Sequence, residues 1–188
     1  MGFDPSLTHF GYVVLDQNGT VAKRGVLACK LRGMERIAYL ITEVVRLLTE
    51  MKACARWQGM KLLIAREDYA FAASSGSDAV LKEFGGILEW TMHGMRLPLN
   101  KLNIATVKKF VTGKGNAQKD QMMLSVYKNF GFDPADENEA DAYGVAVTAR
   151  AIYLGSTKEM TAAQREVVAS AVKKGDNPVL APDDSRPR

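Results

Sequence analysis

The sequence predicts a layered α/β domain with a mixed sheet and helices covering both faces. Three features predict it. A β-rich hairpin follows a very short first strand, a long helix with apolar residues at helical spacing comes next, and a short apolar run bounded by glycine and charge then reads as a buried strand. Further alternating elements continue that order, which suits a mixed sheet.

The first strand ends near Asp4. Phe10-Gly-Tyr-Val-Val-Leu-Asp16 is rich in β-formers, Gln17-Asn-Gly19 supplies a turn tolerant of left-handed backbone, and Thr20 to Ala28 returns, which makes a hairpin. From Met34 to about Arg56, Ile37, Leu40, Ile41, Val44, Val45, Leu48 and Met51 follow the spacing of one helix face. Lys61-Leu-Leu-Ile-Ala65 is the buried strand, ending at Arg66-Glu67-Asp68, so a carboxylate caps it. Residues 77–95 are predicted helical, Pro98 breaks the chain, and a brief strand around 99–103 leads to a helix from Ala105. Gly113-Lys-Gly-Asn116 forces a loop. Helices are predicted at about 117–130, 138–154 and 158–173, and a Pro/Asp/Arg-rich tail from Gly175 is expected to be disordered, leaving 1–174 as one domain.

At 188 residues and 47% hydrophobic, the chain suits a single compact core. No charged leader precedes an apolar core, and no apolar run approaches the roughly 18 residues of a spanning helix, so a cytoplasmic protein is expected. Cys29 and Cys54 lack the paired spacing of a zinc site. Lysine and arginine total 25 against 21 acids, and the charges segregate. Residues 101–119 carry Lys101, Lys108, Lys109, Lys114 and Lys119 without an acid, whereas 133–141 carry Asp133, Asp136, Glu137, Glu139 and Asp141 without a base. Cations to hold phosphate and anions to hold metal would give such a pattern, and so would two solvated faces.

Three acids stand where chemistry explains them at least as well as folding does: Asp4 at the end of the first strand, Glu67 at the end of the buried strand, and Asp141 near a helix start. Ligand sites of open α/β sheets form beyond the carboxyl ends of strands. Carboxylates that close repel unless a cation neutralises them, and an oxygen-only donor set suits Mg²⁺ or Mn²⁺ rather than Zn²⁺. Taken singly, Asp4 could form an Asx turn, Glu67 a solvated strand end, and the acids around Asp141 a complement to the helix dipole.

Their joint order resembles the RuvC family of Holliday-junction resolvases, in particular its bacteriophage-type branch. Four stretches carry the resemblance, in the family's order: Gly2-Phe-Asp-Pro-Ser-Leu-Thr8 with Gly11 after it, Ala65-Arg-Glu-Asp-Tyr-Ala-Phe71, Ala105 through Asp120, and Asn138-Glu-Ala-Asp-Ala-Tyr143. It implies an RNase H-like fold with a mixed five-stranded sheet, a homodimer, and two divalent ions held by Asp4, Glu67 and Asp141. The activity implied is structure-selective cleavage of four-way junctions and other branched DNA, leaving 5′-phosphates. Such family members place a fourth ligand three residues before the last Asp, where this chain has Asn138. Glu139 is taken as the fourth acid, because a Glu-Ala-Asp-Ala run is familiar in phage-type members. Glu137 would share a regular helix face with Asp141, and Asn138 could ligate through its carbonyl oxygen.

The resemblance also matches Lys108 and Lys119 to lysines that contact DNA near the scissile phosphate, Lys119 among the catalytic residues. Lys109 and Lys114 extend the expected DNA contact, and Tyr69 and Phe71 fall near an aromatic that stacks on junction bases. Val80, Phe84, Ile87, Leu88 and Met92 give the helix at 77–95 an apolar face expected at the dimer axis. Two other classes share some of these features. A catalytically inactive junction binder would keep the lysines with a lost metal site, and actin-like phosphotransferases begin with a similar hairpin but need more phosphate loops than 188 residues hold.

Overall fold

The computed structural model describes residues 1–68, 76–176 and 178–181. Five strands form one sheet: β1 (Gly2–Asp4), β2 (His9–Leu15), β3 (Val21–Ala28), β4 (Ala65–Glu67) and β5 (Asn100–Leu102), in spatial order β3-β2-β1-β4-β5. The hairpin half is antiparallel and the β1-β4-β5 half parallel. The expected mixed sheet is thus present, with the helices α1 (Gly33–Trp57), α2 (Gly76–Gly94), α3 (Ile104–Thr112), α4 (Lys119–Phe130), α5 (Glu137–Leu154) and α6 (Ala162–Lys174).

Strand alternation sends successive side chains to opposite faces, and each face buries its own apolar cluster. Phe3, Phe10 and Ile64 meet Leu40, Val44 and Leu48 of α1 and Phe84, Leu88 and Met92 of α2. Val13 and Ala65 meet α5, with α3, α4 and α6 around it. Phe84, Leu88 and Met92, expected on an open dimer face, are therefore core residues; an apolar stripe facing the sheet gains more from its own core than from a partner. The outer side of α2 shows Trp90, 78% exposed, and Val80 instead.

Helix α5 is built for close approach. Ala140, Ala142, Gly144, Ala146 and Ala149 keep it slender, and it lies on two glycines of the sheet. A Cβ on Gly2 would overlap the Ala142 carbonyl, and one on Gly11 the Asn138 carbonyl. Helix and sheet backbones thereby touch, and the first turn of α5 reaches the ends of β1 and β4.

The expected disorder of the tail is corrected for residues 178–181. Ala181 donates its N–H to the Leu62 carbonyl at 2.9 Å, Val179 donates to Asn100 Oδ1 at 2.7 Å, and Leu180 bridges Leu63. Pro178 and Ala181 are buried. The apolar Pro-Val-Leu-Ala segment gains enough from that contact to dock beside β4. Residues 182–188 lie outside the described ones.

Candidate active site

Parallel pairing of β1 with β4 aligns Gly2 with Ala65 and Phe3 with Arg66, so the next step of the register sets Asp4 beside Glu67. Both point to the α5 side, by alternation from Gly2 and Ala65. Helix α5 brings Asp141 to the same place. A cleft of about 380 Å³ is lined by Asp4, Glu67, Asp141, Glu137, Asn138, Lys108 and Lys119, with Ser6, Thr8, His9 and Ile104 completing the wall. Residues from six elements and one loop thus share one opening.

The electrostatics are those of crowded anions. Burial, then the charge of Asp141, pushes the Asp4 carboxyl up to about 7. Burial, then Asp4 and Asp141, pushes Glu67 up to about 8. Asp141 rises to about 6, chiefly through burial, with Lys108 and Lys119 acting against the rise. Strand ends exposed to water would show no such cost, so the solvated-end reading of Glu67 does not account for the site. Three oxygen-donor acids that resist ionisation together are a fitting bed for hard divalent cations. Among the described residues no trio of His, Cys, Asp or Glu is already gathered in a chelating arrangement.

The first turn of α5 sorts the candidate acids by the face they occupy. Asp136 is the N-cap, accepting from the Glu139 N–H at 2.9 Å. Glu137, Asn138 and Asp141 then face the cleft, and Glu139 does not. The expectation for Glu139 is corrected: it is 5% exposed, its Oε2 accepts from the Ala135 N–H at 3.0 Å, and it pairs with Arg24 of β3 at 3.5 Å. Because the helix begins at residue 137, regular spacing puts Glu137 one turn before Asp141 and rotates Glu139 to the far side.

Lysines flank the acids. Lys119 opens α4 and meets Glu137 at 2.6 Å, and that hydrogen bond is the leading cause holding its pKa above the ordinary value. Lys108 projects from α3 into the same cleft. The expectation for Lys109 is corrected, since it turns away to pair with Glu166 of α6 at 2.5 Å. Helical spacing forces this, adjacent residues lying about 100° apart around the axis. Lys114 is exposed in the loop after α3, outside the cleft lining. Tyr69 and Phe71 lie outside the described residues.

Sequence reasoning did not single out Ser6, Thr8 and His9. Ser6 Oγ accepts from the N–H groups of Thr8 and His9 at 3.4 and 3.3 Å, folding the β1–β2 loop over the cleft. The available signal was their place in a polar loop directly after Asp4.

The family model for the crossover junction endodeoxyribonuclease RuvC matches residues 1–149. Helix α6 and the tail lie beyond that match. A crossover junction endodeoxyribonuclease RuvC of Prochlorococcus marinus (strain MIT 9303) is 28% identical over 154 residues, covering 79% of this chain and 95% of that protein. Its counterpart in Synechococcus sp. (strain WH7803) is 26% identical over 151 residues, with the same coverage. Among solved structures, Thermus thermophilus RuvC in complex with a Holliday junction substrate aligns with a TM-score of 0.64 at 18% identity, over 95% of this chain and 97% of that one. At that identity the match speaks for a shared fold.

Proposed function

The chain belongs to the RuvC family of crossover junction endodeoxyribonucleases, which are divalent-metal dependent, and from that we propose that it resolves Holliday junctions by hydrolysing phosphodiesters of the crossing strands. One observation carries this reading to the residues: Asp4, Glu67 and Asp141 share a single cleft with Lys108 and Lys119. Glu137 is the fourth acid of the set, with Asn138 beside it as a neutral oxygen donor.

In this reading the acids hold two Mg²⁺ ions, with Mn²⁺ able to substitute. Asp4, Glu67, Asp141 and Glu137 would hold such cations, whose Lewis acidity would favour ionisation of water and offset charge on the phosphate. The chain's own groups do the rest. Lys108 and Lys119 grip non-bridging phosphate oxygens and fix the strand over the acids. Lys119 gains from its place at the N-terminus of α4, where free N–H groups favour an anion. The glycine contacts under α5 keep the acids from spreading when phosphate enters, so little reorganisation is left for the reaction.

Residues 1–174 form the catalytic unit, with 178–181 docked beside β4. The protein acts as a homodimer, whose two-fold axis presents two such clefts to opposing strands of a junction. Flaps and forks share a branch point with the junction and fall within the wider class of branched DNA. No described helix is long and apolar enough to cross a membrane.

The test is incubation of purified protein with a labelled four-way junction, a flap and a linear duplex, with Mg²⁺ or EDTA. Paired cuts bearing 5′-phosphates in the junction only with Mg²⁺ are expected. Binding of the junction with no cutting under any divalent ion would favour a junction-binding protein without catalysis.

A further inference from the structure

Behind Glu67 the sheet carries a charge conflict of its own. Arg66 of β4 and Lys101 of β5 are register partners, and by alternation both stand on the side opposite the acids. Arg66 is only 1% exposed and ranks among the largest fully buried side chains. Like charges at facing positions of paired strands push those strands apart, and a buried guanidinium is tolerated only when it is compensated.

Glu89 of α2 compensates both. A single oxygen, Oε1, accepts from Arg66 Nη2 at 2.6 Å and lies 2.8 Å from Lys101 Nζ. Partial burial works to raise the Glu89 pKa, yet the hydrogen bonds from Lys101 and Arg66 hold it below the usual carboxylate value. The other end of the guanidinium reaches the active strand. Arg66 Nη1 donates to the Glu67 carbonyl at 2.7 Å, and the Asp68 N–H carries the β4–β5 ladder onward to the Leu102 carbonyl at 2.8 Å. The peptide that bears the Glu67 carboxylate is thus held from behind, by a side chain anchored to a helix on the far face.

We infer that Arg66 and Glu89 are positioning residues, a charge bridge that neutralises the Arg66–Lys101 conflict and so fixes the end of β4 from which Glu67 enters the cleft. The bridge never touches substrate. It acts through the backbone of Glu67, and α2 thereby becomes part of the support of the active site. The inference rests on the reading of Glu67 as a metal-holding acid.

Glu89→Gln keeps the shape and removes the one charge that Arg66 and Lys101 share, while Asp68 Oδ1 stays 3.5 Å from Arg66 Nη1. Lys101→Met added to it removes the conflict. The first readout is Mn²⁺ affinity of the DNA-free protein by calorimetry, and the second is hydrogen exchange of the Asp68 amide. Loss of outer support of this kind lowers metal affinity by about tenfold or more. Glu89→Gln is expected to show that loss and faster Asp68 exchange, and Glu89→Gln/Lys101→Met to recover most of both. Unchanged Mn²⁺ affinity in Glu89→Gln, even with a lower Tm, overturns the positioning role, as does a double variant no better than the single one. If the parent protein takes up no Mn²⁺, the metal reading of the site fails on its own. The bridge is then judged by Asp68 exchange alone, supported if Glu89→Gln accelerates it and Lys101→Met reverses that, overturned if it stays at the parental rate.

Discussion

Gly11 of β2 lies directly beneath the backbone carbonyl of Asn138, so that a single methyl group at Gly11 would occupy the space of that oxygen. Neither partner is a flexible side chain, and the overlap could be relieved only by lifting the first turn of α5. That turn carries Glu137 and Asn138 into the cleft, with Asp141 one turn later. A packing contact between backbones therefore sets how far the α5 acids stand from Asp4 and Glu67.

Gly11→Ala is expected to cost at least about 2 kcal/mol, the scale of overpacking where backbone must move. Junction cleavage should fall much further than stability does, since the acids separate. Thermal denaturation combined with cleavage at a temperature well below the variant's Tm checks this; parental cleavage there would refute the spacing argument.

The raised carboxyls make a pH prediction whose sign is opposite to ordinary acid denaturation. Asp4, Glu67 and Asp141 have folded-state pKa values of about 7, 8 and 6, above their unfolded values near 4. The folded state binds more protons between those limits, so these groups favour folding at low pH and lose that contribution as pH rises from about 4 to about 8. The metal-free protein should melt lower at pH 8 than at pH 5.5. Mg²⁺ or Mn²⁺ should raise Tm more at pH 8, where the acids are ionised. A metal-induced shift equal at both pH values would contradict the assignment of these acids to the metal.

Substituting the acids separates stability from activity. Asp4→Asn, Glu67→Gln and Asp141→Asn each remove a buried charge that repels its neighbours, so the metal-free Tm at pH 8 should rise. Cleavage should drop by about a hundredfold or more through lost metal binding, while junction binding in EDTA persists. Lower Tm in all three variants would show the acids to be structural.

Much of this site was legible in the chain. The hairpin and the strand ended by Glu67 were readable because β-formers, an Asn-Gly turn and an apolar run each give a local signal, and α1 because its apolar spacing is regular over 25 residues. Asp4, Glu67 and Asp141 could be singled out by standing at element ends. Glu137 was legible in helical spacing, which sets it and not Glu139 on the Asp141 face; the choice of Glu139 followed the Glu-Ala-Asp-Ala run instead. The Lys109 pairing depends on α6, a distant element whose docking no local pattern announces. The docking of residues 178–181 escaped because Val179-Leu-Ala181 is too short to give a period.

Lys108 and Lys109 are adjacent in sequence and opposite in consequence. Lys108→Ala should slow cleavage and weaken the salt dependence of junction binding by about one unit of log slope, the share of one phosphate contact. Lys109→Ala should lose only its half-exposed pair with Glu166, about 1 kcal/mol or less, and leave cleavage near the parental rate. Equal effects of the two on the salt slope would mean that DNA also reaches the α6 side.

Glu137 and Glu139 give the sharpest contrast, since both belong to the first turn of α5. Glu139 is buried against Arg24, whose guanidinium also donates to the Asp133 carbonyl at 2.5 Å and stands 5.1 Å from the centre of the Phe132 ring. Glu139→Gln weakens a lock on the loop before α5, which should cost about 1–2 kcal/mol and lower Tm by several degrees. Cleavage below that Tm should stay close to parental, because the side chain does not face the cleft. Glu137→Gln removes a partly exposed carboxylate and the partner of Lys119, which should leave Tm almost unchanged. Its effect should appear as a higher Mg²⁺ concentration for half-maximal cleavage. The reverse pattern, with Glu139→Gln raising the Mg²⁺ requirement and Glu137→Gln lowering Tm, would return the fourth acid to Glu139 and require α5 to start later than residue 137.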